Sequence, residues 1–184
     1  VVEIMRGCPN GCRFCRAGYF YRPFREKAIS HIAKEVDHLV RDCGYREITL
    51  SSLSTGDYSR LDELLNLLNR KYQDERISFS LPSLRINTFT LSILKGISKV
   101  RKSGLTFAVE TATPEMQACI NKNITRDFLI DILQEAKTFG WKYAKIYFMI
   151  GLPRLNESGS PLERGLQEGK EIQELLWDIT HKTG

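Results

Sequence analysis

The sequence predicts an α/β fold built on a parallel sheet, and three observations carry that expectation. Short apolar runs rich in β-branched and aromatic residues alternate along the chain with longer segments of helical periodicity. The alternation repeats five times, the pattern of parallel strands joined by right-handed crossover helices. The Cys-, Gly- and Ser-rich turns each follow the C-terminal end of a strand-like run, where sites gather in parallel α/β folds.

Residues 1–5, Val-Val-Glu-Ile-Met, read as the first strand. They lead into Arg6-Gly7-Cys8-Pro9-Asn10-Gly11-Cys12-Arg13-Phe14-Cys15-Arg16-Ala17-Gly18, where Pro9, Asn10 and Gly11 mark a tight loop. Residues 16–27 interleave Tyr19, Phe20, Tyr21 and Phe24 with Arg22 and Arg25 and show no clear period. Over 28–43, Ile32, Val36, Leu39 and Val40 recur at helical spacing, with Ser30 as the expected cap and Gly44 beyond the end. Residues 47–50 form the second strand and enter Ser51-Ser52-Leu53-Ser54-Thr55-Gly56-Asp57-Tyr58. Ser59 is the expected N-cap of a helix carrying Leu61, Leu64, Leu65 and Leu68. Ile77, Phe79 and Leu81 alternate through a third strand over 76–81, which Pro82 ends. The chain then crosses through Ser83, Leu84, Arg85 and Ile86 to a helix over 90–102. A fourth strand, 104–110, carries Leu105, Phe107 and Val109, and Thr113-Pro114 reads as an N-cap with proline at the first helical position. Leu129, Ile132, Leu133 and Ala136 stripe a helix over 126–139. A fifth strand, 143–150, closes with Gly151-Leu152-Pro153; residues 155–161 are loop-like, and 165–181 form a final amphipathic helix.

A chain of 184 residues suffices for one domain with a sizeable core. No apolar run is long enough to span a bilayer, and no signal peptide precedes the cysteine loop, so no membrane role is expected. The first residue is Val rather than Met, which reads as a domain (1–184) excised from a longer protein. The net charge is +5, and residues 1–27 hold six basic side chains against two acidic ones. That charge can offset thiolates or face an anionic substrate; alone it does not establish nucleic acid as a partner. Free thiols fit a reducing, cytoplasmic setting.

Cys8, Cys12 and Cys15 follow Cys-x3-Cys-x2-Cys spacing. Three thiolates aimed inward by one loop can hold three corners of a cubane iron–sulfur cluster and leave the fourth iron open to a small molecule. A structural zinc site needs four ligands, with His31 or Cys43 the nearest fourth. Five cysteines is an odd count for a disulfide framework, and a ferredoxin-type carrier would need a fourth cysteine at its own spacing. Cys43 and Cys119 are expected as buried thiols, and His31, His38 and His181 as surface residues.

The cysteine spacing resembles the radical S-adenosylmethionine (SAM) superfamily. The resemblance runs from Val1 to about Pro153 and implies a partial parallel (β/α) barrel. About five strand–helix units are present and a sixth is missing, as in a C-terminally truncated core. It implies a [4Fe–4S] cluster on Cys8, Cys12 and Cys15, with SAM on the open iron. SAM is cleaved reductively to a 5′-deoxyadenosyl radical that takes hydrogen from a substrate the sequence does not name. An electron donor such as flavodoxin or ferredoxin is implied as well. Phe14 matches the aromatic residue near adenine. Thr55-Gly56-Asp57 stands where many members carry Gly-Gly-Glu at the methionyl amino group, so Gly56 and Asp57 are candidates. Glu110 matches the polar residue at the ribose, and Met149 the apolar adenine contact, although Tyr147 and Arg154 depart from that motif. Ser80 and Arg85 are weaker candidates, and no catalytic residue is assigned. The longer string from Arg6 to Glu26 resembles a bacterial multidomain subgroup that often carries a cobalamin-binding-like region. Methylthiotransferases that modify tRNA or a ribosomal protein are more distant relatives and supply an alternative function; a zinc-binding interaction module is the alternative of another class. A fifth strand without a sixth would expose a sheet edge open to self-association.

Overall fold

The computed structural model describes residues 1–82, 84, 105–153 and 160–184. The expected helix over 90–102, Arg85 and Arg154 lie outside the described residues. The chain divides into two compact units: residues 1–11 with 15–104, and residues 12–14 with 105–184.

In the first unit, β1 (Val2–Glu3), β4 (Glu47–Ser51) and β5 (Ser78–Ser80) form a parallel sheet in the order β1-β4-β5. Its register pairs Val2 with Leu50 and Ile48 with Phe79. The expected strand over 1–5 divides. After Ile4 the chain turns away from β4, and β2 (Met5–Arg6) pairs antiparallel with β3 (Arg25–Glu26). The unassigned stretch 16–27 thus holds a strand, and also a short helix, α1 (Arg16–Phe20). Helices α2 (Ile29–Arg41) and α3 (Leu61–Lys71) bury the expected stripes, Ile32, Val36 and Val40 on one and Leu64, Leu65 and Leu68 on the other.

Two predicted caps are corrected. Helix α2 begins one residue before Ser30, with Ala28 as its N-cap and no side-chain cap bond. Ile29 is buried, so the core recruits it into the first turn. Helix α3 starts after Arg60 rather than Ser59, because the Ser59 backbone N–H and hydroxyl both donate to the Glu26 carboxylate, at 2.6 and 2.5 Å.

In the second unit, β6 (Leu105–Glu110) and β7 (Ala144–Phe148) pair in parallel, with a register irregularity between Ala108 and Glu110. Helix α4 (Pro114–Cys119) has the expected Thr113 cap, which accepts the Met116 N–H. Helix α5 (Arg126–Thr138) is capped by Thr125, whose side chain accepts the Phe128 N–H. The last helix, α6 (Pro161–Thr183), starts four residues before the expected 165, because Ser160 and Glu163 form a reciprocal capping box with proline at the first helical position. Phe107, Val109, Leu129, Ile132, Leu175 and Ile179 are buried in this unit. Among the described residues no strand lies on the far side of β7 from β6. The architecture is α/β with parallel sheets, and each of the five expected strands has a counterpart.

Candidate functional site

Cys8 follows β2 by way of Gly7, which has φ +85°, a left-handed conformation that suits only glycine well. A Cβ on Gly7 would lie 2.6 Å from the Tyr21 carbonyl oxygen and 2.8 Å from the Phe24 Cα, so glycine is also required by the closeness of the 21–24 segment. Two residues beyond Cys8, the Asn10 amide donates to the Cys8 sulfur at 3.4 Å, to the Ser54 hydroxyl at 3.4 Å and to the Asp57 carboxylate. Ser54 donates to the same carboxylate at 2.6 Å. Asp57 closes the short 3₁₀ turn Thr55–Asp57 at the C-terminal side of β4. Asn10 therefore ties the cysteine loop to the Thr55-Gly56-Asp57 turn, two motifs that the sequence places far apart. Cys15 is the N-cap of α1, its sulfur accepting the Gly18 N–H at 3.4 Å. Ser80, at the end of β5, donates to Thr49 at 3.0 Å.

Residues 12–14 belong to the second unit. The Arg13 N–H donates to the Ile120 carbonyl at 2.9 Å, and its guanidinium donates to the carbonyls of Ala118 (2.8 Å) and Cys119, closing the C-terminal end of α4. Phe14 is 38% exposed, a ring available to a ligand rather than a core aromatic. Glu110 ends β6 with φ +72°, rare for a residue with a side chain. Its carboxylate pairs with Lys122 at 2.8 Å, with both side chains largely buried. The Glu110 carbonyl accepts the Met149 N–H at 2.7 Å, which sets these two candidates side by side. Next to Glu110, the buried Thr111 hydroxyl has no hydrogen-bond partner among the described residues. It borders a cavity of about 10 Å³, shared with Met149, Met116 and Glu168. This space holds one water at most, and an adenine would need more room than this wall of Met149 offers. The buried Glu168 of α6 accepts the Gly151 N–H at 2.8 Å, fixing the turn that follows Met149. A larger cavity of about 630 Å³ lies by the opposite strand ends, at Leu105 and Ala144, away from the candidates.

All five cysteines are free thiols. Cys8, Cys12 and Cys15 are partly exposed; Cys43 is exposed, contrary to the expected burial, because it follows the end of α2, where its sulfur lies 3.9 Å from His38 Nε2. His31, His38 and His181 are exposed as expected. Among the described residues no three Cys, His, Asp or Glu side chains are grouped to hold a metal ion, Cys8, Cys12 and Cys15 included. By chemical type, three thiolates that leave one iron open, the donor set suits an iron–sulfur cluster. It supplies three accessible sulfurs, two of which already accept N–H bonds of the kind that stabilise cluster thiolates.

The family model of the radical SAM superfamily matches residues 2–159. The chain belongs to the radical SAM superfamily. A Pyrococcus horikoshii protein described as a methyltransferase is 29% identical over 174 residues, covering 94% of this chain and 37% of that protein. The tRNA-2-methylthio-N(6)-dimethylallyladenosine synthase of Clostridium botulinum is 25% identical over 182 residues, covering 94% of this chain and 39% of the synthase. The chain thus spans a little over a third of these relatives. Among solved structures, the radical SAM methyltransferase TsrM from Kitasatospora setae, with cobalamin and a [4Fe–4S] cluster bound, matches with a TM-score of 0.70 at 11% identity. That match covers 95% of this chain and 34% of TsrM, and shows a shared fold.

Three residues that hold candidate residues or the turns beside them were not singled out from sequence: Asn10 in the first unit, and Lys122 and Glu168 in the second. Asn10 lies inside the cysteine loop, where turn propensity explains an asparagine without any further role. Lys122 lies 12 residues from Glu110 and Glu168 lies 17 from Gly151, separations that no local periodicity links.

Proposed function

We propose that this chain is the core of a radical SAM enzyme in which Cys8, Cys12 and Cys15 hold a [4Fe–4S] cluster and SAM binds beside it. The observation that carries the reading is the Cys-x3-Cys-x2-Cys loop, whose Cys8 and Cys15 sulfurs accept N–H bonds from Asn10 and Gly18 within a family match over 2–159. When bound, the cluster supplies an electron to SAM and so gives access to hydrogen abstraction by a 5′-deoxyadenosyl radical. The chain's own residues bind and orient. Asn10 and Ser54 hold the Asp57 carboxylate on the turn that carries Gly56. Lys122 holds Glu110, whose carboxylate can accept both ribose hydroxyls. Phe14 offers an exposed ring face to the adenine. A flavodoxin- or ferredoxin-type donor in the cytoplasm supplies the electron, and the edge of β7, which no strand covers among the described residues, is the surface for any self-association. No described helix is long and apolar enough to cross a membrane.

A second reading, modification of RNA or protein by methyl or methylthio transfer, is favoured by the similarity to the Pyrococcus and Clostridium proteins. Anaerobic reconstitution with iron and sulfide counting tests the common core. Cys8→Ala, Cys12→Ala and Cys15→Ala each abolish cluster assembly, whereas Cys43→Ala and Cys119→Ala retain it. A Cys12→Ala protein with a full cluster would sink the assignment. Release of 5′-deoxyadenosine from SAM by the reconstituted chain checks the activity.

A further inference from the structure

Between Arg6 and Lys27 the chain contains no Leu, Ile, Val or Met, yet it carries five aromatic side chains, five arginines and one lysine. The single carboxylate in that stretch, Glu26, is held by Ser59. The aromatic residues of the 19–24 segment are not core residues. Phe20 is 72% exposed at the end of α1, and Tyr19, Tyr21 and Phe24 are each about half exposed. Arg16, Arg22 and Arg25 are exposed among them. The Arg22 guanidinium lies over the Tyr19 ring at 4.5 Å, and Phe20 meets Tyr21 edge-on with ring centroids 5.0 Å apart.

We propose that this arginine–aromatic surface binds single-stranded nucleic acid, stacking bases on Phe20 and its neighbours and pairing phosphates with Arg16, Arg22 and Arg25. The chemistry selects that partner. A surface that inserts into lipid or docks an apolar protein face would present aliphatic side chains, and the segment has none beyond Ala17. An acidic protein partner would be met by charge alone and gives no reason for four exposed rings in six residues. Exposed rings serve as platforms for any base, and arginine, unlike lysine, both stacks and forks onto phosphate. The surface begins at Arg16, directly after Cys15 at the start of α1, and concerns a partner that the enzyme reading does not name.

Fluorescence anisotropy on the 184-residue chain with labelled single strands of about 15 nucleotides provides the test, with RNA and DNA in separate arms to distinguish the two sources. Three phosphate contacts predict that log affinity falls against log salt with a slope of about −2. Arg16→Ala/Arg22→Ala/Arg25→Ala flattens that slope. Phe20→Ala weakens binding by about tenfold or more with the slope unchanged; Tyr19→Ala serves as a second ring variant, and circular dichroism checks that both fold. The proposal is overturned if neither strand binds. It is equally overturned if heparin binds as well as RNA while Phe20→Ala has no effect, which is simple charge attraction. Ring-dependent binding to phosphatidylcholine–phosphatidylglycerol vesicles without binding to either strand also overturns it. Iron content measured on the same samples keeps this result separate from the cluster assignment.

Discussion

Lys122→Met probes the pair that holds the candidate ribose carboxylate. Lys122 and Glu110 meet at 2.8 Å, with side-chain exposures of only 10% and 13%. Removing the cation leaves a carboxylate largely out of water without its ion-pair partner. Breaking a buried pair by deleting one partner costs about 3–5 kcal/mol, far above the value of a surface pair. For a chain of this length each kcal/mol moves the thermal midpoint by about 2–4 °C, so the variant should melt about 6–20 °C lower. The double variant Glu110→Gln/Lys122→Met removes both charges and should recover much of the loss, giving a coupling energy of about 1 kcal/mol or more. Differential scanning fluorimetry and urea titration of all four proteins close the cycle. SAM calorimetry adds a separate reading: Glu110→Gln weakens binding by about 1–3 kcal/mol if the carboxylate receives the ribose. A Lys122→Met protein as stable as the parent would refute the reasoning, because the pair would then be open to solvent in solution.

Two further outcomes follow from other parts of the fold. Gly7→Ala sets a Cβ 2.6 Å from a backbone oxygen at φ +85° and should destabilise by more than about 2 kcal/mol, with loss of cluster retention; urea denaturation and iron counting measure both effects. The Asp37 carboxyl is held below the usual carboxylate range, chiefly by the hydrogen bond from Lys71 and next by that from the Tyr72 hydroxyl. Its folded pKa lies below its unfolded one, so its contribution is present at neutral pH and is lost as the pH falls through the folded value. Asp37→Asn should therefore flatten the acid limb of a urea-midpoint against pH curve, and an unchanged limb would remove Asp37 from the account.

The elements were legible where burial and local chemistry agree. The stripe Ile32, Val36, Val40 and the alternation Phe107, Val109 name their own buried faces. Thr113-Pro114 names its own cap. Legibility failed where a distant partner decides. Ser59 has the chemistry of an N-cap, but the Glu26 carboxylate takes both of its donors, and nothing within the local sequence announces that competition. The early start of α6 is readable in principle, since Ser160-Pro161-Leu162-Glu163 satisfies the capping-box pattern, but the composition of 155–161 reads as a loop. The segment 16–27 hid both a helix and a strand because it carries no aliphatic period. Its order comes from Gly7 beneath residues 21–24 and from the pairing of Arg25 with Arg6 and of Glu26 with Met5. The candidate site divides in the same way. The cysteines and the Gly56-Asp57 turn stand on local motifs, whereas the bonds of Asn10 to Asp57, of Lys122 to Glu110 and of Glu168 to Gly151 join residues far apart in sequence.

Glu110 shows how backbone and chemistry compete at one residue. A side-chain-bearing residue at φ +72° costs about 1–2 kcal/mol relative to ordinary backbone, a cost that glycine avoids. The position also follows the register irregularity between Ala108 and Glu110, which turns the chain out of β6. Packing and pairing alone would thus favour glycine, and the presence of glutamate points to a use for the carboxylate. Comparing Glu110→Gly with Glu110→Ala separates the two demands. Both lose the pair with Lys122 equally, so their difference isolates the backbone. The glycine variant should be the more stable by about 1 kcal/mol, while both lose the same SAM affinity. Equal stabilities would mean that the left-handed conformation relaxes once the carboxylate is gone. The strain would then be imposed by the Glu110–Lys122 pair itself rather than by the turn out of β6.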